Sequence, residues 1–302
     1  MFHDVKIMRL RLNLLKGNGM NLFKNALLKI LIGLSLTASF AFAYPDAGTM
    51  TVNGPSDFVG SFAISNGSQS FSGYGGGYLG TVTDTVTNRI TTQLLFCDDF
   101  SNDISVPSGQ LGVNISQLTT GADISKTRFG SVSVANFQTV NLSLTNTQAS
   151  ALTVSTENAL NGATALQRYQ MAAYLVTLYS FLGDHPAANS FYSDSVSRGI
   201  QDAIWTLLDA KGETFTPPSE SLQAGQTGDV TTYLTAAANW LASGDRSFLS
   251  HFSVVTDASM HSLNSGVQEL LLYTPVPEPG YGTLLGLALL GLGWTARRHR
   301  RA

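Results

Sequence analysis

Residues 46–144 alternate between apolar and polar side chains with a period of two, as strands do when one face is buried. Residues 73–80 are mostly glycine, which predicts a flexible loop between two strands. The first half of the chain is therefore predicted to be β-structure, with strand segments at 81–83, 85–87, 90–96 and 131–144.

From residue 165 the pattern takes the period of a helix. Residues 165–182 are apolar almost throughout and predict one helix, which is stopped by the turn at 183–186. Two further helices are predicted at 196–210 and 229–242, and closing strands at 248–255 and 267–273. This order predicts an α+β fold: a β-rich framework, sandwich- or barrel-like, with a helical insert of about three helices.

The N-terminal segment has the composition of an export signal. Residues 20–43 run from basic to apolar and end in small residues, the order of a secretory signal peptide, with cleavage predicted after Ala43. Residues 1–19 add an extended basic region, and the true start is either Met1 or Met20. We therefore predict that residues 1–43 are removed on export.

The C-terminal segment, residues 275–302, has three consecutive parts: a Pro-Glu-Pro turn, an uncharged apolar run at 281–296, and a basic end. The run of about 16 residues is somewhat short of the ~20 that cross a bilayer core. An ordinary core helix is the alternative, but it would carry a polar face. A transmembrane helix with its basic end in the cytoplasm is therefore predicted. The turn is Val276, Pro277, Glu278, Pro279 and Gly280, and the basic residues are Arg297, Arg298, Arg300 and Arg301.

This tripartite pattern resembles the PEP-CTERM sorting signal of Gram-negative bacteria. The resemblance implies that the Sec and signal-peptidase machinery exports the chain and that the inner membrane holds the precursor transiently. A membrane protease, the exosortase, then removes the helix. The implied destination is the cell surface or the exopolysaccharide matrix of a biofilm.

The predicted exported body, residues 44–274, is acidic. The whole chain has 17 Lys and Arg and 20 Asp and Glu, but six basic residues precede residue 44 and four follow residue 296. The body keeps seven basic and 18 acidic residues, a net charge of −11. Nucleic acid is therefore not an expected partner, because phosphate binding needs basic patches.

Few residues of the body suggest metal or cofactor chemistry. His185, His251 and His261 have no metal-ligand spacing, so neither a metal nor a cofactor is predicted. The acidic stretch 98–103 is oxygen-rich, yet it lacks the glycine and glutamate of an EF-hand, and a solvated acidic turn is the favoured interpretation over a Ca²⁺ site. The single cysteine, Cys97, is a buried small hydrophobe, an intermolecular link or a reactive group.

Two short motifs bear on that choice: Phe96-Cys97-Asp98, and Ile200-Gln201-Asp202-Ala203-Ile204-Trp205. They resemble the two signature elements of bacterial Cys-Gln thioester domains of surface adhesins, and the resemblance spans about residues 90–210. It implies that Cys97 and Gln201 form an internal thioester, which Trp205 would shield from water. Ile200 departs from the family, which usually has threonine there. In the alternative interpretation, Cys97 is a buried core residue on a strand and Gln201 only caps or decorates a helix.

The sequence thus predicts a non-enzymatic surface or matrix protein, with a possible covalent attachment to amines at a surface or to exopolysaccharide. The alternative is a purely structural or non-covalent carbohydrate-binding matrix protein. An exopolysaccharide hydrolase is less favoured, because the sequence places no two carboxylates at catalytic separation.

Overall fold

The computed structural model describes residues 47–66, 69–84, 90–100, 102, 104–144, 146–179, 195–211, 229–260, 263 and 265–274. Its six strands are β1 (Ala47–Asn66), β2 (Gln69–Asp84), β3 (Ile90–Cys97), β4 (Leu111–Gln117), β5 (Phe252–Asp257) and β6 (Leu270–Tyr273). Its five helices of six or more residues are α1 (Asn146–Ala151), α2 (Val154–Asn161), α3 (Ala165–Thr177), α4 (Ser195–Leu207) and α5 (Val230–Ser243). The α+β, β-rich fold class is confirmed.

The strands form a closed antiparallel barrel in the order β1-β2-β3-β6-β5-β4, and β4 pairs back onto β1. Closure pairs the backbone N–H and C=O groups that the edge strands of an open sheet would leave exposed. All five helices lie in the chain between β4 and β5. The helical part is therefore an insert, and β5 and β6, the last two strands, complete the barrel.

The glycine-rich stretch 73–80 is part of β2, so the predicted loop is wrong. Gly80 shows why glycine is needed in this strand. A Cβ there would lie 2.2 Å from Cδ1 of Leu95 in β3, so a larger residue would require this buried side chain to move. Gly76 adopts a φ of 111°, which other residues avoid. The glycines serve strand packing and bending rather than loop flexibility.

Residues 131–144 form short 3₁₀ turns and no strand, contrary to the prediction. Phe137, Val140 and Ser143 are buried, whereas Val134 and Leu142 are exposed. The two turns, Val134–Asn136 and Val140–Leu142, are separate, and the residues that follow them, Phe137 and Ser143, are buried. The alternation of apolar and polar residues over 131–144 therefore did not indicate a strand.

Helices α3, α4 and α5 confirm the three predicted helices, and they pack on one another. The sequence analysis missed α1 and α2, because short helices carry few apolar positions. A cap residue was the available signal for α2, because Thr153 accepts a bond from the Thr156 amide at the start of that helix.

Several predicted features lie outside the described residues: the signal helix and its cleavage site, the strand segment 85–87, the turn 183–186, and the sorting motif with its transmembrane helix and basic tail. No helix that the structure describes is long and apolar enough to cross a membrane.

Arg168 joins three helices from a position with no solvent exposure. Its guanidinium donates to the carbonyls of Leu160, Ala163 and Leu207 at 3.0, 3.2 and 2.7 Å, and it lies 4.2 Å from the ring centroid of Phe137. Burial lowers the pKa of Arg168 to about 10, while Asp209 acts in the opposite direction. The charge remains in place at neutral pH and satisfies carbonyls near the ends of α2 and α4.

We expect Arg168→Met to lower the free energy of unfolding by about 3 kcal/mol, because three buried carbonyls lose a donor. Urea unfolding followed by circular dichroism measures the change. Arg246→Met is the matched control, since Arg246 is exposed and makes one long bond of 3.4 Å to the Leu241 carbonyl. The control should change stability by no more than about 0.5 kcal/mol. Equal losses in the two variants would contradict the assignment.

Candidate functional site

The ends of β3 and β6 bring distant parts of the sequence together. Cys97, the last residue of β3, pairs with Leu270, the first residue of β6. Asp98 and Asp99 follow β3, and Gln268 and Glu269 precede β6, so this junction brings the four residues together.

The Cys97 side chain is fully buried and surrounded by polar groups. Gln268 donates from Nε2 to the Cys97 Sγ at 2.7 Å, and the thiol itself lies 3.3 Å from the Asp99 carbonyl oxygen. Burial raises the pKa of the Cys97 thiol well above its ordinary value, and Asp98 and Asp99 add to the rise. The Trp205 side chain and the Asp99 backbone act in the opposite direction.

Gln201 extends from α4 to the same cysteine. Its Nε2 donates to the Cys97 carbonyl oxygen at 2.8 Å, and its Oε1 accepts from the Tyr179 hydroxyl at 3.2 Å. Gln201 is fully buried, so it does not decorate the surface of its helix. Trp205, one turn further along α4, is 1% exposed.

Tyr179 is held in place by the residue that precedes the cysteine. Its ring stacks on Phe96 with a centroid distance of 5.8 Å and an interplanar angle of 13°. Burial raises the pKa of the Tyr179 hydroxyl, so the hydroxyl keeps its proton at neutral pH and remains a donor to Gln201. Strand β3 thus supplies both the thiol and the support for the tyrosine.

A buried charge cluster adjoins the thiol. Arg128 and Asp99 form an ion pair of 2.8 Å with neither side chain exposed, and Glu269 accepts from the Arg128 backbone amide at 2.7 Å. Glu269 also accepts from the hydroxyls of Tyr169 and Thr256. The first two residues of the acidic stretch 98–103 are therefore buried, and the predicted solvated turn is wrong there: the Arg128 guanidinium compensates Asp99.

Asp98 is the least compensated member of this cluster. It has no solvent exposure, and neither of its carboxyl oxygens has a hydrogen-bond partner among the described residues. Burial raises the pKa of Asp98 well above its ordinary value, and the neighbouring Glu269 and Asp99 raise it further. Burial also raises the pKa of Glu269, against the lowering effect of its hydrogen-bond donors.

A cavity of about 740 Å³ lies close to the cluster. Its lining includes Lys126, Arg128 and Lys211, which are three of the seven basic residues of the acidic body, with the amides of Asn114 and Asn136. Among the described residues, no three His, Cys, Asp or Glu side chains are placed to hold a metal ion.

The structure brings together Cys97, Gln201 and Trp205, the three residues that the sequence suggested for a thioester. The predicted sorting residues lie outside the residues that the structure describes. Sequence reasoning missed Tyr179, Gln268 and the charge cluster. Gln268 has no local signal, because strand pairing alone brings it to the sulfur.

No protein-family model matches the chain, and no curated protein or solved structure is significantly similar to it. The chemistry of the site must therefore be argued from its own geometry.

We expect Asp98→Asn to stabilise the protein at pH 7 by at least about 1 kcal/mol, because it removes a buried, uncompensated carboxyl. A carboxyl with a raised pKa contributes stability below its unfolded pKa of about 4 and loses it as pH rises through the folded value. The parent should therefore weaken as pH rises from about 4 towards 7, and the variant should weaken less. Urea unfolding across that range measures both slopes.

Asp245→Asn is the matched control for this prediction. Asp245 is exposed, and hydrogen bonds from Ser247 lower the pKa of its carboxyl. The same substitution there should therefore bring no gain at pH 7. A gain at Asp245 equal to that at Asp98 would contradict the burial argument.

Proposed function

We propose that the chain is an exported surface or matrix protein whose body forms an internal thioester between Cys97 and Gln201. The observation that carries the proposal is that the Gln201 side chain is fully buried at Cys97, where its Nε2 donates to the Cys97 carbonyl oxygen at 2.8 Å. The amide that contacts the Cys97 sulfur itself is that of Gln268, at 2.7 Å, so the acyl group has a second candidate in the same site.

The reaction balances within the two side chains. The Cys97 sulfur attacks the Gln201 Cδ, an S–C bond forms, and the Cδ–Nε2 bond breaks. The thiol proton leaves with the amide nitrogen as ammonia. The product is an acyl group that an amine can take from the sulfur, which returns the thiol and leaves the amine bound to Gln201 as an amide.

Tyr179 is placed to assist this step. Its hydroxyl donates to Gln201 Oε1, the oxygen that gains negative charge when sulfur attacks the amide carbon. A donor fixed before the reaction stabilises such charge without reorganising. The stacking on Phe96 and the raised pKa of the hydroxyl keep that donor oriented and protonated.

Burial supplies the second requirement, protection of the bond from hydrolysis. Cys97 and Gln201 have no solvent exposure, and Trp205 lies over the adjoining turn of α4 at 1% exposure. With water excluded, hydrolysis of the thioester is slow, and the proposed nucleophile is an amine of a surface protein or of a matrix saccharide. The attachment would then be covalent and single-use, so the protein would act as an adhesive rather than an enzyme.

The proposal also includes the location of the protein. The N-terminal signal peptide and the PEP-CTERM-like end support export, transient anchoring in the inner membrane and release by an exosortase. The surface or exopolysaccharide matrix then offers the amines that the thioester needs.

The cavity near Arg128 favours a second candidate, non-covalent carbohydrate binding. Its lysines and asparagine amides match the carboxylates and hydroxyls of an acidic polysaccharide. This candidate needs no reaction at Cys97 and becomes the preferred one if the thiol proves free.

We expect the intact mass of the purified protein to fall short of the sequence mass of its processed chain by one ammonia. Methylamine should replace that deficit by a covalent adduct on Gln201, located by peptide mapping. Cys97→Ala should show neither change, because the nucleophile is absent. A freshly purified, folded parent with full mass and an alkylatable Cys97 would refute the thioester.

We expect the sorting motif to direct processing in a host that has an exosortase. The mature protein should lose its C-terminal segment and reach the surface or matrix. Deleting the exosortase, or changing Pro277 and Pro279 to alanine, should leave a membrane-bound precursor of higher mass on immunoblots. Identical size and location with and without the exosortase would contradict this part of the proposal.

A further inference from the structure

We propose that the cavity near Arg128, which is lined by Lys126 and Lys211, is the acceptor subsite of the attachment reaction. It binds the carboxylates of an acidic polysaccharide and holds that polymer at the end of the barrel that carries Cys97. The inference rests on the proposed function and deepens it. It makes binding at the cavity and covalent attachment at the cysteine two steps of one process, with one class of acceptor.

The lining of the cavity has one sign of charge, and the body around it has mostly the other. Both lysines of the body line the cavity, and among the described residues no Asp or Glu does so. The body has 18 acidic residues and a net charge of −11, so it repels a polyanion as a whole. A cleft with walls of one sign concentrates ions of the opposite sign. The cavity therefore favours an anion where the rest of the body opposes one.

Lys211 is held on the cavity wall with its charge intact. Its Nζ donates to the Ala135 carbonyl oxygen at 2.6 Å, and its backbone amide donates to the Asn136 carbonyl oxygen at 2.9 Å. A carbonyl is neutral, so this bond orients the ammonium without cancelling its charge, and an ammonium has three N–H donors. Lys126 contributes less, because its Nζ forms an ion pair of 2.7 Å with Asp123.

The remaining lining suits a sugar ring. The amides of Asn114 and Asn136 can pair with hydroxyl groups. Val132, Met260 and Leu263 supply apolar surface for the C–H groups of the ring. The described lining contains no aromatic side chain on which a nucleic-acid base would stack. The volume of about 740 Å³ is that of a small-ligand site, so one or two uronic acid units of a polymer match both its size and its chemistry.

The cavity and the thiol lie at the same end of the barrel. Cys97 ends β3 where β6 begins, and Asn114, near the start of β4, pairs with Thr256, near the end of β5. Antiparallel pairing brings these strand ends to one side of the barrel. Arg128 connects the two sites, because it lines the cavity while its guanidinium pairs with Asp99 at 2.8 Å. A polymer bound in the cavity therefore presents its amines at the end where the thioester forms.

The first test measures binding without the covalent step, by fluorescence anisotropy with the Cys97→Ala protein. Labelled hexagalacturonate should bind saturably and more weakly as salt rises, and labelled maltohexaose, its neutral counterpart, should bind at least about tenfold more weakly. Adding Lys211→Gln should weaken hexagalacturonate binding about fivefold, and Lys211→Arg should restore it. Arg246→Gln is the matched control, because Arg246 is also exposed and also donates to a carbonyl, that of Leu241.

Three outcomes of this test would overturn the inference. Equal weakening by Arg246→Gln would show an effect of net charge alone. Binding of maltohexaose as tight as that of hexagalacturonate would show that the lysines do not select an anion. Displacement of the probe by inorganic phosphate at the same concentration as by unlabelled hexagalacturonate would show a site for any small anion.

The second test adds the covalent step. Each oligosaccharide is given a primary amine at its reducing end, and mass spectrometry follows its incorporation into the parent. The amine nitrogen attacks the acyl carbon, a C–N bond forms, the C–S bond breaks, and the amine proton returns to sulfur. The acidic amine should couple about tenfold faster than the neutral one, and Lys211→Gln should reduce that ratio about fivefold.

Equal coupling rates of the two amines in the parent would overturn the acceptor role. If the parent never loses ammonia, the acceptor role fails together with the proposed function. Saturable binding that depends on Lys211 in the first test would then still support the cavity as a polysaccharide site, so the two failures are distinguishable.

Discussion

The structure depends on a buried imbalance of charge, in which one guanidinium faces three carboxyls. Arg128 pairs with Asp99 and binds Glu269 through its backbone, while Asp98 has no comparable partner. Three carboxylates and one cation cannot all stay ionised without water. Burial raises the pKa values of Asp98 and Glu269, so folding favours the protonated forms of these two carboxyls.

This cluster also joins the two halves of the fold. Glu269 precedes β6 of the barrel, and it accepts from Tyr169 of the helical insert. The Tyr169 hydroxyl in turn accepts from the Phe129 amide at 3.0 Å. The cysteine is the residue immediately before Asp98, so the thiol lies where barrel, insert and charge meet. The carboxyls of this junction therefore also raise the pKa of the Cys97 thiol.

Sequence periodicity predicted α3, α4 and α5 because long helices repeat a broad apolar stripe many times. It failed for the strand that contains Gly80, where close contact with Leu95 of another strand favours glycine, and for residues 131–144, where two short 3₁₀ turns stand in place of a strand. The residues of the candidate site also differ in how well the sequence could predict them. Cys97 and Gln201 lie in short motifs, whereas the contact of Gln268 with sulfur arises only from strand pairing between residues far apart in the chain.

The position of β6 in the barrel has a consequence for the timing of assembly. It is the last strand that the structure describes, yet it pairs between β3 and β5, so the barrel stays open until β6 arrives. A chain that crosses the membrane from its N-terminus delivers the cysteine and the helices first. The sulfur then meets Gln268 only once the end of the body has emerged. For a chain exported in that direction, the buried surroundings of Cys97 are therefore complete only after translocation.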